Sequence, residues 1–293
     1  MNHAIDHLVL CVNDLDCARA FYERLGFTLT PRAQQPFGTA NHLAQLQGSF
    51  LELLAVADAT NIPAPGPGQF SFGGFNAGFL SRRQGMSMLV FPSDDARHDQ
   101  RTFAARGLDT YEPFDFSRKA RLPDGGEATV SFSLAFVTHP SMPEAAFFAC
   151  QQHTPQYFWK PEYQRHANAA RAVIEVLMVA DVPARLADFF GRLLDPNAVA
   201  IDGKCLRVTL DGGAITILDP THLQARCAKT EFGDIGENPR LVGFGVAVED
   251  VDGAEMILRR GDIPFRRTAH GLQITPGDAF GAIIEFCAIG KSS

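Results

Sequence analysis

Apolar positions along the chain follow two rhythms, and where one gives way to the other marks the elements. Ile5-Asp6-His7-Leu8-Val9-Leu10-Cys11-Val12 is a nearly unbroken aliphatic run, as a strand buried on one or both faces needs. The period then changes. Ala18, Phe21, Tyr22 and Leu25 fall at i, i+3, i+4 and i+7, which puts one apolar stripe on a helix. Asn13 or Asp14 is placed to cap that helix, and Gly26 to end it in a left-handed conformation. Strand-like stretches follow at residues 27–32, 41–47 and 49–56, so the first 56 residues read β-α-β-β-β.

The same order returns three times. Residues 86–91 read as a strand, 94–106 as a helix closed by Gly107, and 130–137 and 145–152 as strands. Residues 172–179 form a strand, after which Leu186, Phe189, Phe190 and Leu193 repeat the helical stripe before strands at 205–210 and 214–218. The last copy runs from a strand at 241–248 through a helix carrying Ala254, Ile257 and Leu258, ending near Gly261, to strands at 273–275 and 282–287. Val12-Asn13-Asp14, Val179-Ala180-Asp181 and Val248-Glu249-Asp250 mark the same strand-to-helix corner.

A single such unit leaves one face of its sheet bare, so the units are expected to pair. The polar stretch 160–171 divides them into residues 1–160 and 171–290. A second connection, 61–78, is rich in Pro and Gly with Phe70, Phe72 and Phe75 interleaved. It reads as a crossover packed on the first half, with a flap over a pocket as the other reading.

Composition narrows the function. The 293 residues carry a net charge of −7 and no basic run, which speaks against nucleic acid and anionic membrane surfaces. No apolar stretch is long enough for a membrane helix, and residues 1–6 lack the pattern of a signal peptide, so a cytoplasmic protein is expected. Six cysteines without a Cys-x-x-Cys spacing read as reduced thiols. Neither Gly-x-Gly-x-x-Gly after a strand nor Gly-x-Ser-x-Gly occurs, so dinucleotide-fold and nucleophile-elbow readings lack their signatures.

The four units, with Asp6-His7-Leu8-Val9-Leu10 opening the first and Phe21-Tyr22-Glu23-Arg24-Leu25-Gly26-Phe27 closing its helix, resemble the vicinal oxygen chelate superfamily. That group includes glyoxalase I, extradiol dioxygenases and bleomycin-resistance proteins. Residues 147–155 (Phe-Phe-Ala-Cys-Gln-Gln-His-Thr-Pro), with Trp159 after them, resemble its glyoxalase-like branch. The resemblance implies an α+β fold in which paired units curve into two open mixed-sheet barrels. It also implies a divalent metal (Zn, Fe, Mn or Ni) held by residues of the first and last strands of each unit.

His7 matches the first-strand position and Glu52 the last-strand one. The second unit offers Met88 or Ser87, then Cys150 or Gln151, with His153 two residues beyond Gln151. His7, Glu52 and His153 would make a set of two histidines and one carboxylate. Independently of the family, a carboxylate inside Phe50-Leu51-Glu52-Leu53-Leu54 is costly to bury unless it is partnered. His42 and His153 are the candidates for moving a proton, and Gln151 and Trp159 for touching the substrate. The second half offers Ile174 or Glu175, Gly243 and Glu285, without the histidines of a ring-cleaving dioxygenase.

The expected function is a metal-dependent enzyme acting on a small oxygenated substrate by isomerase, lyase or oxygenase chemistry. The alternative is a metal-free protein that grips an aromatic compound, of the bleomycin-resistance type. A small-molecule ligand is the expected partner in both, and a homodimer is open.

Overall fold

The structure, a computed structural model, describes residues 3–121, 125–227 and 238–289. Residues 1 and 290, the outer bounds expected for the two halves, lie outside them. The first sheet is built from β1 (His7–Cys11), β2 (Ala33–Gln34), β3 (Thr39–Gln45), β4 (Phe50–Val56), β5 (Gly85–Ser93), β6 (Asp109–Thr110), β7 (Phe114–Arg121), β8 (Glu127–Thr138) and β9 (Ala146–Gln152). Its order is β2-β3-β4-β1-β5-β9-β8-β6, with β7 also paired to β8. Along this first half lie α1 (Leu15–Arg24), α2 (Phe72–Leu80), α3 (Ala96–Ala105) and the short α4 (Pro155–Phe158).

The second sheet repeats the plan with β10 (Ala170–Val179), β11 (Val199–Asp202), β12 (Cys205–Leu210), β13 (Gly213–Leu218), β14 (Arg240–Val248), β15 (Arg266–Thr268), β16 (Gly271–Ile274) and β17 (Ile283–Ala288). Its order is β11-β12-β13-β10-β14-β17-β16-β15. The helices α5 (Ala187–Leu193), α6 (Pro220–Arg226) and α7 (Val251–Arg260) accompany it. In both sheets the first strand of a unit pairs parallel to its own last strand and antiparallel to the first strand of the next unit. The result is an α+β fold of two curved mixed sheets.

Local chemistry explains the elements. All five residues of β1 are buried, which fits a central strand covered on both faces and its unalternating sequence. Asp14 caps α1 by accepting from the Cys17 amide at 2.8 Å, and Ala18, Phe21 and Tyr22 bury the helical stripe. Gly26 has φ +92°, and a β-carbon there would lie 2.9 Å from the Asn168 amide nitrogen. That glycine is therefore required twice, by its conformation and by the neighbouring chain.

Residues 27–32, expected as a strand, form none. Thr30 instead brackets β3, its amide donating to the Leu43 carbonyl and its hydroxyl accepting from the Leu43 amide, both at 2.9 Å. The stretch 61–78 leads into α2, whose Phe72 and Phe79 are buried against the first sheet. The convex faces of both sheets, with α1, α5 and α7 between them, share one continuous apolar core. Each concave face has a separate smaller one.

Candidate functional site

The concave face of the first sheet holds a cavity of about 460 Å³, its mouth included. Alternate residues of β3, β4, β7, β8 and β9 line it, and phenylalanine is the commonest residue of the lining. His7 and Glu52 are the polar groups at its heart, 4% and 5% exposed.

Asp6 precedes β1, so its side chain is free of the strand's alternation and turns back to the imidazole of its neighbour. His7 Nδ1 lies 2.6 Å from Asp6 Oδ2. With that nitrogen donating to the carboxylate, Nε2 is left as an acceptor facing the cavity. The ring stacks on Phe50 at 4.2 Å and meets the edge of Phe148 at 5.5 Å, which fixes its plane. Gln152 Nε2 donates to the other oxygen of Asp6 at 3.3 Å.

Glu52 is held from one side only. Its Oε1 accepts from Asn41 Nδ2 at 2.5 Å and Gln35 Nε2 at 3.1 Å. The Thr39 hydroxyl donates to Gln35 Oε1 and so orients that amide. Glu52 Oε2 lies 3.7 Å from His7 Nε2, beyond hydrogen-bond distance. Asn41 Oδ1, buried beside it, has no hydrogen-bond partner among the described residues. An imidazole nitrogen, a carboxylate oxygen and an amide oxygen thus converge on one greasy space with bonds still to make. Cys150, also in the lining, stays a thiol, because burial and the charges of Asp6 and Glu52 push its pKa well up.

A model of the glyoxalase-like domain family matches residues 5–194. The chain belongs to the glyoxalase-like family. A search of curated protein sequences gives no match. Among solved structures, this glyoxalase-like chain is similar to a hypothetical protein from Staphylococcus aureus, with 13% identity and TM-score 0.65 over 97% of this chain and 99% of that one. It is also similar to a mutant of 4-hydroxymandelate synthase from Streptomyces coelicolor, with 15% identity and TM-score 0.57 over 98% and 92%. A third is a xylose isomerase-like TIM barrel/4-hydroxyphenylpyruvate dioxygenase fusion protein, with 13% identity and TM-score 0.57 over all of this chain and half of that one. At these identities the likeness is one of fold.

Strand register in this glyoxalase-like fold identifies the equivalent positions. His7 lies opposite Phe50, and Glu52 is two residues further on. The same step gives Met88 and Phe148 in the second unit, Glu175 and Thr216 in the third, and Gly243 and Glu285 in the fourth. Phe148 therefore takes the place expected for Cys150 or Gln151, and Glu175 resolves the choice with Ile174. The first barrel supplies two metal-type donors and two apolar side chains at the four positions. Among the described residues no three His, Cys, Asp or Glu side chains are grouped to hold a metal ion. The side chains present do not fit a metal held by three protein ligands.

The remaining candidates lie elsewhere. His153 follows the end of β9 on the exposed side, its Nε2 2.8 Å from Ser133 Oγ, so it does not join His7 and Glu52. His42 is one residue out of phase with Asn41 and Leu43, which line the cavity. Its neighbours Ala40 and Ala44 belong to the convex core, and its Nδ1 lies 2.7 Å from the Thr30 carbonyl oxygen. Gln151 holds the start of α3, donating to the Asp94 carbonyl at 2.7 Å and accepting from the Ala96 amide. Trp159 packs on Phe50 and Phe158, one ring removed from the cavity.

Asp6, Gln35, Asn41 and Arg118 were not singled out from the sequence. For Arg118 a signal existed. Phe114-Asp115-Phe116-Ser117-Arg118 alternates as a strand does, with the two phenylalanines and the arginine on one face.

Proposed function

We propose that the first barrel is the working site of an enzyme that moves a proton on a small, mostly apolar, oxygen-bearing substrate. The observation that carries this reading is the Asp6–His7–Glu52 arrangement, with Nε2 and Oε2 facing each other across 3.7 Å inside a phenylalanine-lined cavity. His7 Nε2 takes a proton from carbon or hydroxyl, and the Asp6 carboxylate stabilises the imidazolium that forms. The proton then passes from the imidazolium to the Glu52 carboxylate that faces it and from there to a neighbouring atom of the substrate, so that the pair achieves an isomerisation with both groups restored. Asn41 Oδ1 accepts from a substrate hydroxyl. Positioned acid–base groups of this kind contribute about 10²–10⁴-fold in rate.

The test is wash-in of solvent deuterium into 2-hydroxyacetophenone and phenylpyruvate, followed by proton NMR. The native protein should accelerate exchange, and His7→Gln and Glu52→Gln should each lose about 10²-fold or more with unchanged Tm. Exchange that survives His7→Gln, or none beyond the solvent rate, overturns the proposal. A rise in Tm with these compounds and no exchange would favour the binding protein instead.

A further inference from the structure

We propose that Arg118 anchors a carboxylate of the substrate, so that the first barrel selects small aryl or alkyl acids over neutral carbonyl compounds; this rests on the reading of that cavity as the working site. β7 places Arg118 in the cavity lining with Phe116, while its neighbours on the strand turn outward into ion pairs. Asp115 pairs with Arg97 at 2.5 Å and Lys119 with Glu127 at 2.8 Å. Arg118 has no carboxylate within ion-pair distance among the described residues, and its hydrogen bond, to the Lys119 carbonyl, is stretched to 3.5 Å.

The protein treats its other buried guanidinium groups differently. Arg83 donates to Glu144 at 2.7 Å, and Arg226 grips two glutamates. A mostly buried arginine without such a partner is costly, and burial indeed pulls the Arg118 pKa down, with Glu52 the one charge acting against it. Glu52 does not pair with the guanidinium: its Oε1 accepts from Asn41 and Gln35, and its Oε2 faces His7. What remains is a planar fork of donors at the edge of an apolar cavity, the geometry that matches a carboxylate with two parallel bonds. An acid docked there directs its adjoining carbons inward, toward His7 and Glu52.

The experiment measures binding of matched pairs, phenylacetate against phenylacetamide and phenylglyoxylate against its amide, by equilibrium dialysis and thermal shift. The native protein should prefer each acid, and Arg118→Met should weaken the acids about 10–100-fold while leaving the amides unchanged. Arg118→Lys, a point charge without the fork, should restore part of the preference. His7→Gln should keep the acid preference, so the anchor is tested even if the proton-transfer reading fails. Equal binding of acid and amide, binding of neither, or a preference that survives Arg118→Met overturns the proposal.

Discussion

The two barrels share a sheet topology and differ in what occupies the hollow. In the first, the four equivalent positions are His7, Glu52, Met88 and Phe148, and three of them, His7, Glu52 and Phe148, line a cavity. In the second they are Glu175, Thr216, Gly243 and Glu285, and Arg226 from α6 occupies the position facing them. Arg226 donates to Glu175 Oε2 at 2.6 Å and to Glu285 Oε1 at 3.1 Å. Thr216 and Gln273 complete the two carboxylates at 2.6 Å each. Polar groups in the second hollow are satisfied by the chain itself, whereas those in the first still have bonds to offer. The fold supplies a cradle twice, and side chains decide which one is left for a ligand.

The sharpest way to break this comparison is to remove the arginine of each hollow. Arg226→Met strands two carboxylates, Glu285 fully buried and Glu175 partly buried, and should cost about 3–5 kcal/mol in chemical denaturation. Arg118→Met removes a guanidinium that has no ion-pair partner among the described residues and should leave stability unchanged or raised. Equal losses would mean that both arginines are structural.

The next effect is in the acid limb. Burial alone would raise the Glu175 pKa, but hydrogen bonds and charge from Arg226, with help from Thr216, bring it below its ordinary 4.5. A carboxyl lowered on folding contributes stability that is complete above its unfolded value and is lost as pH falls through the folded one. The gap between native protein and Arg226→Met should therefore be widest above about pH 4.5 and close below it. A gap independent of pH would show that the charge of Glu175 does not matter to the fold.

Much of the architecture was legible because it depends on local rhythm. The strand runs, helical stripes and corner motifs are short-range signals, and the repeat multiplied each of them. The site was half legible. His7 and Glu52 stand out as polar residues inside aliphatic runs, but their partners do not. Asn41 was missed by one residue of strand phase, His42 being the more conspicuous side chain. Gln35 reaches Glu52 through a turn that pattern does not specify. Arg226 meets Glu175 across 51 positions and Glu285 across 59, and no local pattern encodes that meeting.

The smallest expected effect lies at the repeated corner, where the sequence suggests more symmetry than the structure has. Asp14, Asp95 and Asp250 each cap the helix that follows, accepting from the amide three residues on at 2.8–2.9 Å. Asp181 occupies the same place in the third unit, but Pro183 follows and a 3₁₀ turn, Pro183–Leu186, leads into α5 with no side-chain cap. Proline has no amide hydrogen to give, and its fixed φ starts the turn by itself. Asp250→Ala should thus lower Tm by a few degrees, because an orphan amide loses its acceptor, while Asp181→Ala should leave Tm unchanged. Differential scanning calorimetry on the two variants decides it. Equal drops would mean that the third corner is capped in solution as the other three are, and that the second barrel departs from the first only in its hollow.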